Sequence, residues 1–447
     1  MIKSKKYSQI EYQLKHFGVL AEIPFYSYNF DEIAKQCERL EASLPKNFRV
    51  HYTLKANSSL AICHHLSQLG ISADISSIGE LVVAIKAGFA PQQLIFTGPG
   101  KSDRELDFAL KQNIALIAIE SVNEARRLNS LAEQYGIKQD ILVRINPLYR
   151  TSSSCEIAQG NAGCEQDAIS DTPIQSIAQS ASKFGIDENE ILTAMPEIVA
   201  LPNINLQGIH IFTESNVLNQ QQLAASCQNT INIANRLRDK GYGISVVDFG
   251  GGMGVPYNSV DAEFDVAEFG KQMQQISDRN PYQYEYIFEL GRYLVCEAGS
   301  YVTKVIDIKE SQGKKFVIID GGVHQLLRTS MKKASRFMDV IGKERISGET
   351  EKVTLAGKLP TPLDIIADEV EVPQNIAISD HIVIYNCGAY GFNHSLTNFA
   401  LHNYPAEVAY SQGDTALIRD PGKVEDFLLN QQSPFIPSLR ENLATSA

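Results

Sequence analysis

Lys55 is the first residue in the chain whose position suggests chemistry. It lies at the C-terminal end of the apolar run 50–57 (Val-His-Tyr-Thr-Leu-Lys-Ala-Asn), just before a stretch with helical periodicity. If the run is a barrel strand, the lysine amine points into the mouth of the barrel, where it could hold an aldehyde cofactor as a Schiff base. The alternative is a solvated lysine at a strand end, and the rest of the chain has to decide between the two.

A run of three glycines offers a second candidate site. Residues 250–252 follow the apolar run 247–249, and without Cβ atoms their backbone N–H groups can approach and wrap an anion. A tight turn that closes a barrel explains the same glycines equally well. The segment 289–292 (Glu-Leu-Gly-Arg) favours a phosphate site, because the last two strands of such barrels often frame a phosphate and Arg292 can bind it through a fork of hydrogen bonds.

Apolar runs of strand length alternate with amphipathic helical sequence before residue 293. This alternation predicts an α/β fold with a closed parallel (β/α)8 TIM barrel rather than an open doubly wound sheet. Besides the run that ends near Lys55, the predicted strands are Ala73–Ser76, Leu94–Thr97, Leu116–Glu120, Ile141–Asn146, Leu206–Phe212, Val246–Gly250 and Tyr286–Glu289. Barrel enzymes keep their chemistry at the C-terminal ends of the strands, where this chain places Lys55, Asp74, Arg144, His210, the glycine run and Glu289.

Helical periodicity largely ends after Arg292, and β-rich runs divided by Gly, Pro and Asp turns replace it. The change predicts a barrel over residues 25–293 and a C-terminal all-β domain over residues 294–430. Residues 1–24 are expected to join the β-domain in space, and the polar residues 431–447 to form a loose tail. The strands predicted in the β-domain are Tyr301–Ile308, Lys315–Ile319, Lys352–Leu355, His381–Tyr385 and Ala416–Ile418.

The composition fits a soluble two-domain protein of 447 residues. A net charge of −12 makes nucleic acid and anionic membranes poor partners. No run reaches the length of a membrane span and no apolar segment follows the basic start, so a cytoplasmic location is expected. The seven cysteines include no CxxC pair and no metal-like spacing with histidine, which predicts reduced thiols and no metal site.

Five motifs occur in the order typical of one family. They are the segment 52–57 (Tyr-Thr-Leu-Lys-Ala-Asn), the segment 210–212 (His-Ile-Phe), the glycine run, Glu289-x-Gly291-Arg292 and the segment 388–391 (Gly-Ala-Tyr-Gly). From about residue 24 to about residue 408 the chain resembles the fold-type III pyridoxal-phosphate decarboxylases, which include the diaminopimelate, ornithine and arginine decarboxylases.

The resemblance is closest to one branch of that family. The segments 388–391 and 361–364 (Thr-Pro-Leu-Asp) look most like the enzymes that handle carrier-tethered or conjugated amino acids. The decarboxylase of butirosin side-chain assembly and the decarboxylases associated with exosortase gene clusters belong to this branch. The resemblance therefore implies an alanine-racemase-like barrel, pyridoxal 5′-phosphate as cofactor, and a homodimer with shared active sites.

Individual roles are also implied by the resemblance. Lys55 would hold the cofactor as an internal aldimine, and His210 would stack on its ring. Glu289 would face the pyridine nitrogen and keep it protonated, so that the ring accepts the electrons left by CO2. Alanine racemase has an arginine there, so a carboxylate favours decarboxylation over racemisation. The other matches to cofactor-binding positions are Asp74, Arg144, Thr213, Gly250, Gly251, Gly252, Gly291, Arg292 and Tyr390.

Three further residues are candidates for substrate binding. Arg328 matches an arginine that reads the distal carboxylate in diaminopimelate decarboxylases, although a surface arginine is nearly as good an explanation and the tyrosine that usually follows is absent. Asp364, with Thr361 nearby, is predicted to reach the substrate of the neighbouring subunit. The polar segment 152–180 is longer than a barrel connection requires, which indicates either a mobile lid or a disordered insert.

The chain departs from the family pattern at Pro360. The family reads Gly-Pro-x-Cys where this chain has Gly357-Lys358-Leu359-Pro360, and the family cysteine returns a proton to Cα after CO2 leaves. Proline has neither a thiol nor a backbone N–H. Either another group such as Lys55, Thr361, Cys387 or water donates the proton, or the reaction takes another outcome such as oxidative deamination, or activity is lost.

Two classes of function remain open from the sequence. The leading hypothesis is a pyridoxal-phosphate decarboxylase of specialised metabolism, acting on an amino acid or on a conjugate such as a siderophore intermediate or a carrier-bound aminoacyl group. The alternative is a non-decarboxylating relative, either deaminase-like or racemase-like, or a binding protein without catalysis. The retained Lys55 counts against the binding protein, which has no need of it.

Overall fold

Parallel strands separated by helices make up the first part of the molecule, and a second sheet follows. The computed structural model describes residues 2–16, 24–148, 182–257, 261–327, 338–342 and 348–431. The strands are β1 Phe25–Asn29, β2 Phe48–Thr53, β3 Ser72–Ile75, β4 Leu94–Phe96, β5 Leu116–Ile119, β6 Gln139–Asn146, β7 Ile186–Asp187, β8 Ile204–His210, β9 Val246–Asp248, β10 Glu285–Leu290, β11 Gly299–Ser311, β12 Lys314–Ile319, β13 Met338–Ile341, β14 Thr350–Ala356, β15 Ile365–Pro373, β16 His381–Ile384, β17 Ala406–Ser411 and β18 Asp414–Arg419. The described α-helices are α1 Ile2–His16, α2 Phe30–Ser43, α3 Leu60–Gln68, α4 Ile78–Ala87, α5 Asp103–Gln112, α6 Val122–Tyr135, α7 Ile191–Ala200, α8 Gln220–Asp239, α9 Val266–Arg279 and α10 Arg292–Val295.

The barrel is closed. Its strands follow the order β5-β4-β3-β2-β10-β9-β8-β6, and β5 also pairs with β6. Every one of these pairings is parallel, and the short strand β7 extends the sheet beside the end of β6. The predicted (β/α)8 barrel is therefore confirmed, and the C-terminal ends of its strands meet at one mouth.

Small polar residues begin several helices of the barrel. Ser77, Ser121 and Asn219 each accept a hydrogen bond from the backbone N–H three residues further on. Such N-caps satisfy N–H groups that have no partner within the helix, and they fix where the chain turns away from the barrel mouth.

Within the described residues, no helix has both the length and the apolar character needed to cross a bilayer.

Stacked aromatic rings fix the strands that carry the candidate site. The ring centroids of Phe48 and Tyr286 lie 4.6 Å apart, and those of Phe249 and Phe288 lie 5.0 Å apart. These side chains come from β2, β10 and the turn after β9, and all four are buried. Because aromatic packing of this density restrains backbone movement, it holds the strands that end near Lys55 and Glu289 in register.

The second sheet forms the β-domain and follows the order β15-β14-β12-β11-β1-β17-β18, with β16 pairing with β11 and β13. An all-β second domain is thus confirmed, but one assignment is corrected. Strand β1 pairs with β11 and β17, so residues 25–29 lie in the β-domain and not in the barrel. Ile10 of α1 packs against Phe25 in the apolar cluster on this sheet. The exact division of the chain into domains otherwise stays a prediction.

A loop of the β-domain docks on the mouth of the barrel. Asn57 donates a side-chain hydrogen bond to the carbonyl of Gly388 at 3.0 Å, and Tyr390 donates its backbone N–H to the carbonyl of Ala56 at 2.7 Å. Asn393 reaches the carbonyl of Lys55 itself, at 2.8 Å. The segment 388–393 is therefore part of the same site as the end of β2.

Candidate active site

Lys55 stands in a short 3-10 turn, Leu54–Ala56, that directly follows β2. Its Nζ lies 4.0 Å from Oδ2 of Asp74, and 51% of its side chain is exposed while Asp74 is fully buried. Asp74 accepts hydrogen bonds from the hydroxyls of Thr53 at 3.0 Å and Thr97 at 2.7 Å. The carboxylate is thus fixed in the wall, and the amine points into open space at the barrel mouth.

Two opposing effects set the pKa of Lys55. Partial removal from water at the barrel mouth acts to lower it, but the charge of Asp74, followed by Tyr390 and Glu289, raises the pKa above the ordinary lysine value. The free amine is therefore a cation at neutral pH.

His210, Asp248 and Glu289 form a buried cluster at the ends of β8, β9 and β10. Nε2 of His210 lies 3.6 Å from Oε2 of Glu289, and one ligand atom of each of the three residues lies within 4.8 Å of the others. Among the described residues, neither ring nitrogen of His210, nor Oε1 of Glu289, nor Oδ2 of Asp248 has a hydrogen-bond partner. Buried polar atoms are costly without partners, so the cluster is shaped for a polar ligand.

The electrostatics of this cluster depend on its burial. Burial, followed by Asp248 and Asp74, raises the pKa of Glu289 well above that of an ordinary carboxyl. Burial also raises the pKa of Asp248 to about 7. Burial, with help from the cations Arg144 and Lys55, lowers the pKa of His210. The imidazole is therefore neutral at physiological pH, and Glu289 ionises fully only when a cationic group faces it.

The glycine run after β9 has space only for glycine. A Cβ on Gly250 would meet Phe212 at 2.9 Å, and one on Gly251 would meet the carbonyl of Glu289 at 2.9 Å. Gly250 and Gly252 also have positive φ values of 61° and 131°. The expectation that all these N–H groups face an anion needs one correction, because the N–H of Gly250 donates to Oδ1 of Asp248 at 2.8 Å.

Arg292 begins α10 and lies between two aromatic rings. Its guanidinium carbon is 5.4 Å from the ring centroid of Tyr257 and 5.1 Å from that of Tyr390. One nitrogen donates to the hydroxyl of Tyr257, and another to Oγ of Ser215 at 3.4 Å. Gly291 allows this placement, since a Cβ there would meet that of Ala56 at 2.5 Å. The guanidinium is thus held rigidly beside the turn that carries Lys55.

The hydroxyl near Arg292 belongs to a residue that the sequence did not indicate. Thr213 was the expected hydroxyl, but its Oγ1 lies 2.8 Å from Oγ of Ser226 on α8. Ser215, two residues further on, contacts Arg292 instead. Both residues lie in the irregular connection between β8 and α8, where no sequence periodicity fixes side-chain direction.

Arg144 is anchored by a second residue that sequence reasoning missed. Oε1 of Glu120 accepts from Arg144 at 2.8 Å, while Oε2 accepts from the backbone N–H of Gly185 at 2.7 Å. The guanidinium carbon of Arg144 also lies 4.3 Å from the ring centroid of Phe184. A single buried carboxylate thus positions the arginine and the segment that precedes β7. The signal available in the sequence was an acidic residue at the C-terminal end of the predicted strand Leu116–Glu120.

The loop 357–364 differs most from expectation. Asp364 is only 2% exposed, and its carboxylate accepts from the backbone N–H groups of Val323 and Leu359, each at 2.7 Å. Both carboxylate oxygens of Asp364 thus hold backbone N–H groups of this chain, and its contact with substrate stays a prediction. The hydroxyl of Thr361 accepts from Leu363 at 3.3 Å, which is a local turn contact.

The remaining predictions concern Pro360, Cys387, Arg328 and the segment 152–180. Pro360 is exposed. The thiol of Cys387 lies 3.3 Å and 3.4 Å from the carbonyls of Ile384 and Tyr385, so it is buried in the β-domain rather than turned to the barrel mouth. Arg328 and the segment 152–180 lie outside the described residues.

The sequence of the barrel decides the family. Residues 30–296 match the family described as "Pyridoxal-dependent decarboxylase, pyridoxal binding domain". The chain belongs to the pyridoxal-dependent decarboxylase family. It is 32% identical to the L-glutamyl-[BtrI acyl-carrier protein] decarboxylase of Niallia circulans, over 92% of this chain and 94% of the relative.

Two further comparisons extend across both domains of this pyridoxal-dependent decarboxylase. It is 29% identical to the 2-[(L-alanin-3-ylcarbamoyl)methyl]-2-hydroxybutanedioate decarboxylase of Staphylococcus aureus, over 87% of this chain and 94% of the relative. The crystal structure of diaminopimelate decarboxylase from Helicobacter pylori complexed with L-lysine superimposes with a TM-score of 0.80 at 28% identity, covering 94% of this chain and 97% of the other. The resemblance inferred from the motifs is confirmed.

The residues at the mouth of this decarboxylase fit pyridoxal phosphate. An amine for the aldehyde, a buried carboxylate for a cationic ring nitrogen, and an arginine for the phosphate all lie at one barrel mouth. The unpartnered atoms of His210, Glu289 and Asp248 are accounted for if a cofactor ring lies beside them. The family membership thus confirms the predicted cofactor, while the roles of single residues remain predictions.

Proposed function

We propose that this decarboxylase acts on an α-amino acid that is part of a larger conjugate or is tethered to a carrier. The observation that carries the proposal is the joint placement of Lys55 and the buried pair His210 and Glu289 at the mouth of one barrel. The substrate class is supported by the relatives, since one is named for a glutamyl-carrier substrate and another for a hydroxybutanedioate amide. The predicted reaction is loss of the α-carboxylate as CO2.

The proposed roles follow from the contacts of each side chain. Pyridoxal phosphate supplies an electron-withdrawing ring that accepts the electron pair left by CO2. Lys55 would hold the aldehyde carbon and then exchange it for the substrate amine. Burial raises the pKa of Glu289. If its carboxylate pairs with the cationic ring nitrogen, the positive charge of the ring compensates the negative charge of the buried carboxylate.

The remaining residues would orient the ring and the phosphate. Neutral His210 offers an uncharged face for stacking, which a protonated imidazole next to a cationic ring would not. Arg292 and Ser215 would bind the phosphate, and the aromatic rings on either side of Arg292 restrict its movement. Asp74 would keep the Lys55 amine close to the site after it is released.

We also propose that the enzyme is a homodimer whose loop 357–364 meets the partner subunit. Leu363 is 78% exposed, and Leu396 and Phe399 are 49% and 45% exposed in the segment that follows the docked loop. Exposed apolar side chains of this size are typical of surfaces that are covered by another protein. A second copy of the chain would bury them beside both barrel mouths.

A second outcome of the reaction is favoured by Pro360. The described part of the loop presents no thiol, and Cys387 is buried elsewhere. Without a dedicated donor at position 360, the proton for Cα has to come from Lys55, from the hydroxyl of Thr361 or from water. We therefore expect slow turnover. In some cycles the proton would reach the cofactor instead of Cα, the cofactor would keep the amino group, and hydrolysis by water would release a carbonyl compound beside the amine.

CO2 release from matched substrates tests the proposal. Purified holoenzyme is assayed with free L-glutamate, with its γ-N-alkylamide, and with its γ-thioester to a pantetheine arm, so that each substrate keeps a free α-carboxylate. We expect the two conjugates to react and free glutamate to react poorly, and we expect Lys55→Ala to abolish release from all three. Release from free amino acids alone would contradict the conjugate proposal, whereas no release from any amino acid would contradict decarboxylation.

A further inference from the structure

A cavity in the β-domain lies outside the cofactor site. It has a volume of about 300 Å³, and its walls include Asp320, Gln325, Lys358, His402 and Tyr404. This volume is at the lower end of the range that binds small molecules. Apolar side chains complete the wall, among them Pro24, Leu401, Pro421 and Val424. A polar ligand of a few heavy atoms would fit such a space.

The charges in the wall are paired. Lys358 forms an ion pair with Asp320, and the two side chains are 29% and 19% exposed. Among the described residues that line the cavity, Lys358 and Asp320 carry the charged side chains. A lysine ammonium has three donors and a carboxylate has several acceptor sites, so each group keeps capacity for a further partner.

Two histidines beside the pair are uncharged. His324 is 1% exposed, and neither of its ring nitrogens has a partner among the described residues. Its ring centroid lies 5.1 Å from that of His402, which lines the cavity. Burial, followed by His402 and Lys358, lowers the pKa of His324 to about 4. Burial and Lys358 also lower the pKa of His402, against Asp320 and Asp364, which raise it.

Hydrogen bonds fix the polar walls before any ligand binds. Gln325 accepts from the hydroxyl of Tyr301 at 2.7 Å and donates to the carbonyl of Asn403 at 2.9 Å. The backbone N–H of Lys358 donates to the carbonyl of Gly321 at 3.0 Å. Asp364 clamps the same two segments through Val323 and Leu359. Asp320 and Lys358 are therefore presented by one rigid unit, which lowers the entropy lost on binding.

Charge balance selects the class of ligand. A lone carboxylate or a lone ammonium would add an unpaired charge to a partly buried neutral pair, and the desolvation cost would oppose binding. A zwitterion adds no net charge, because its carboxylate can face Lys358 while its ammonium faces Asp320. We propose that this cavity is a second binding site, specific for the α-amino-carboxylate group of an amino acid.

Hydrogen bonds link the segment that carries Gln325 to the active site. Leu327 donates to Oγ of Ser395 at 3.0 Å, and Ser395 in turn donates to the carbonyl of Gly391 at 2.8 Å. The same loop contacts Lys55 through Asn393. The group bound in the cavity is either a free amino acid or the remote amino-acid end of a substrate.

Equilibrium dialysis with three matched probes tests the site. The holoenzyme is first reduced with borohydride, so that the barrel mouth cannot react with an amine. L-Alanine is then compared with propionate, which lacks the ammonium, and with ethylamine, which lacks the carboxylate. We expect one equivalent of L-alanine to bind about tenfold or more tightly than either single-charge probe. Equal binding of the three probes, or no binding of L-alanine, would overturn the proposal.

Variants of the ion pair locate the binding. Lys358→Met and Asp320→Asn should each weaken L-alanine binding about tenfold or more. The exchanged pair Asp320→Lys with Lys358→Asp should recover part of the affinity, which also controls for misfolding of the single variants. Lys314→Met, which breaks an exposed pair with Asp368, should have no effect. Unchanged affinity in Lys358→Met would overturn the site.

Kinetics with unreduced enzyme distinguish the two sources of the group. If the cavity holds the remote end of a substrate, L-alanine should compete with that end and raise the KM of a substrate that has an amino-acid group at each end. Lys358→Met should abolish this increase. If it holds a free amino acid, L-alanine should change kcat instead, again only with Lys358 present. Either result supports the site, and identical kinetics of the wild type and Lys358→Met with added L-alanine would count against it.

Discussion

Asp248 and Glu289 bring two carboxyl groups into one buried cluster, each with an oxygen within 4.8 Å of the other and of a nitrogen of His210. They occupy the ends of the adjacent parallel strands β9 and β10. Two carboxylates this close in a dry site cannot both ionise without cost. A cationic ligand that lies beside Glu289 would relieve that repulsion, so the cluster couples ligand binding to proton release.

The first prediction is that this pair destabilises the cofactor-free protein as pH rises. Burial raises the pKa of Asp248 to about 7, so between about pH 4 and that value the folded state binds more protons than the unfolded state. The free energy of unfolding therefore falls across this window. Asp248→Asn should raise the melting temperature at about pH 8 more than at about pH 5. The difference should exceed about 1 kcal/mol, since each pKa unit is worth about 1.4 kcal/mol.

A matched variant controls that measurement. Asp278→Asn removes an exposed carboxylate from α9 and should leave the pH dependence of the melting temperature unchanged. If Asp248→Asn stabilises the protein equally at both pH values, folding does not raise the pKa of Asp248 and the prediction fails.

The placement of site residues at strand ends could be predicted from sequence because barrel geometry dictates it. Lys55, His210 and Glu289 each follow or end an apolar run, and the strands deliver them to one mouth. The contacts between these residues and their supports could not be predicted in the same way. The carboxylate of Glu120 reaches the N–H of Gly185, 65 residues further along the chain, and no local pattern encodes that distance.

Asp364 shows why loop residues mislead. The family resemblance predicts that its side chain contacts substrate, but no local pattern indicates that two backbone N–H groups of the β-domain also depend on that carboxylate. Strand β1 is misassigned for a related reason. Its apolar run is compatible with either sheet, and only long-range pairing with β11 and β17 decides between them.

The second prediction concerns the covalent attachment of the cofactor. Borohydride reduction of the holoenzyme should leave a stable pyridoxyl adduct on Lys55, because its amine points into the open barrel mouth. Lys101 provides an internal control, since it is buried, donates to the carbonyls of Gly98 and Ala118, and forms an ion pair with Glu124. Peptide mapping should find the adduct on Lys55 and not on Lys101. An adduct that persists in Lys55→Ala would refute the assignment.

The third prediction is that Glu120 acts as a positioning residue for Arg144. Glu120→Gln keeps the size of the side chain but weakens the charged hydrogen bond to Arg144, which is buried. Charged hydrogen bonds of this kind contribute roughly 1.5–3 kcal/mol, so the affinity for pyridoxal phosphate should fall about tenfold or more. Fluorescence titration of the cofactor-free protein measures this affinity.

The exposed pair of Arg126 and Glu197 provides the comparison for Glu120. Both side chains are about half exposed, and Glu197→Gln should leave the cofactor affinity unchanged. If Glu120→Gln lowers only the melting temperature and not the affinity for pyridoxal phosphate, Glu120 has a structural role and the prediction fails.

The fourth prediction tests the dimer. Leu363 is 78% exposed, and its replacement by aspartate would place a charge in the proposed interface. Leu363→Asp should shift the sedimentation of the protein from dimer to monomer and should remove most of the activity. Leu192→Asp, at a 47% exposed position on α7, should do neither. A wild-type protein that sediments as a monomer would contradict the dimer and the shared active site.

The last prediction is that Pro360 affects the protonation of Cα after CO2 has left and not the loss of CO2 itself. Lys55, His210 and Glu289, which would serve the earlier step, are all in place, whereas the loop has no donor at position 360 and the thiol of Cys387 faces strand carbonyls. General-acid help is worth roughly 10²- to 10⁴-fold, so Pro360→Cys should speed turnover and raise the amine fraction of the product. In D2O that amine should carry one deuterium at Cα. Pro362→Cys, two residues along the same exposed loop, is the matched control and should give neither gain. If the wild type already forms a stereochemically pure amine at a rate that Pro360→Cys does not improve, another residue donates the proton and the loop has a different purpose.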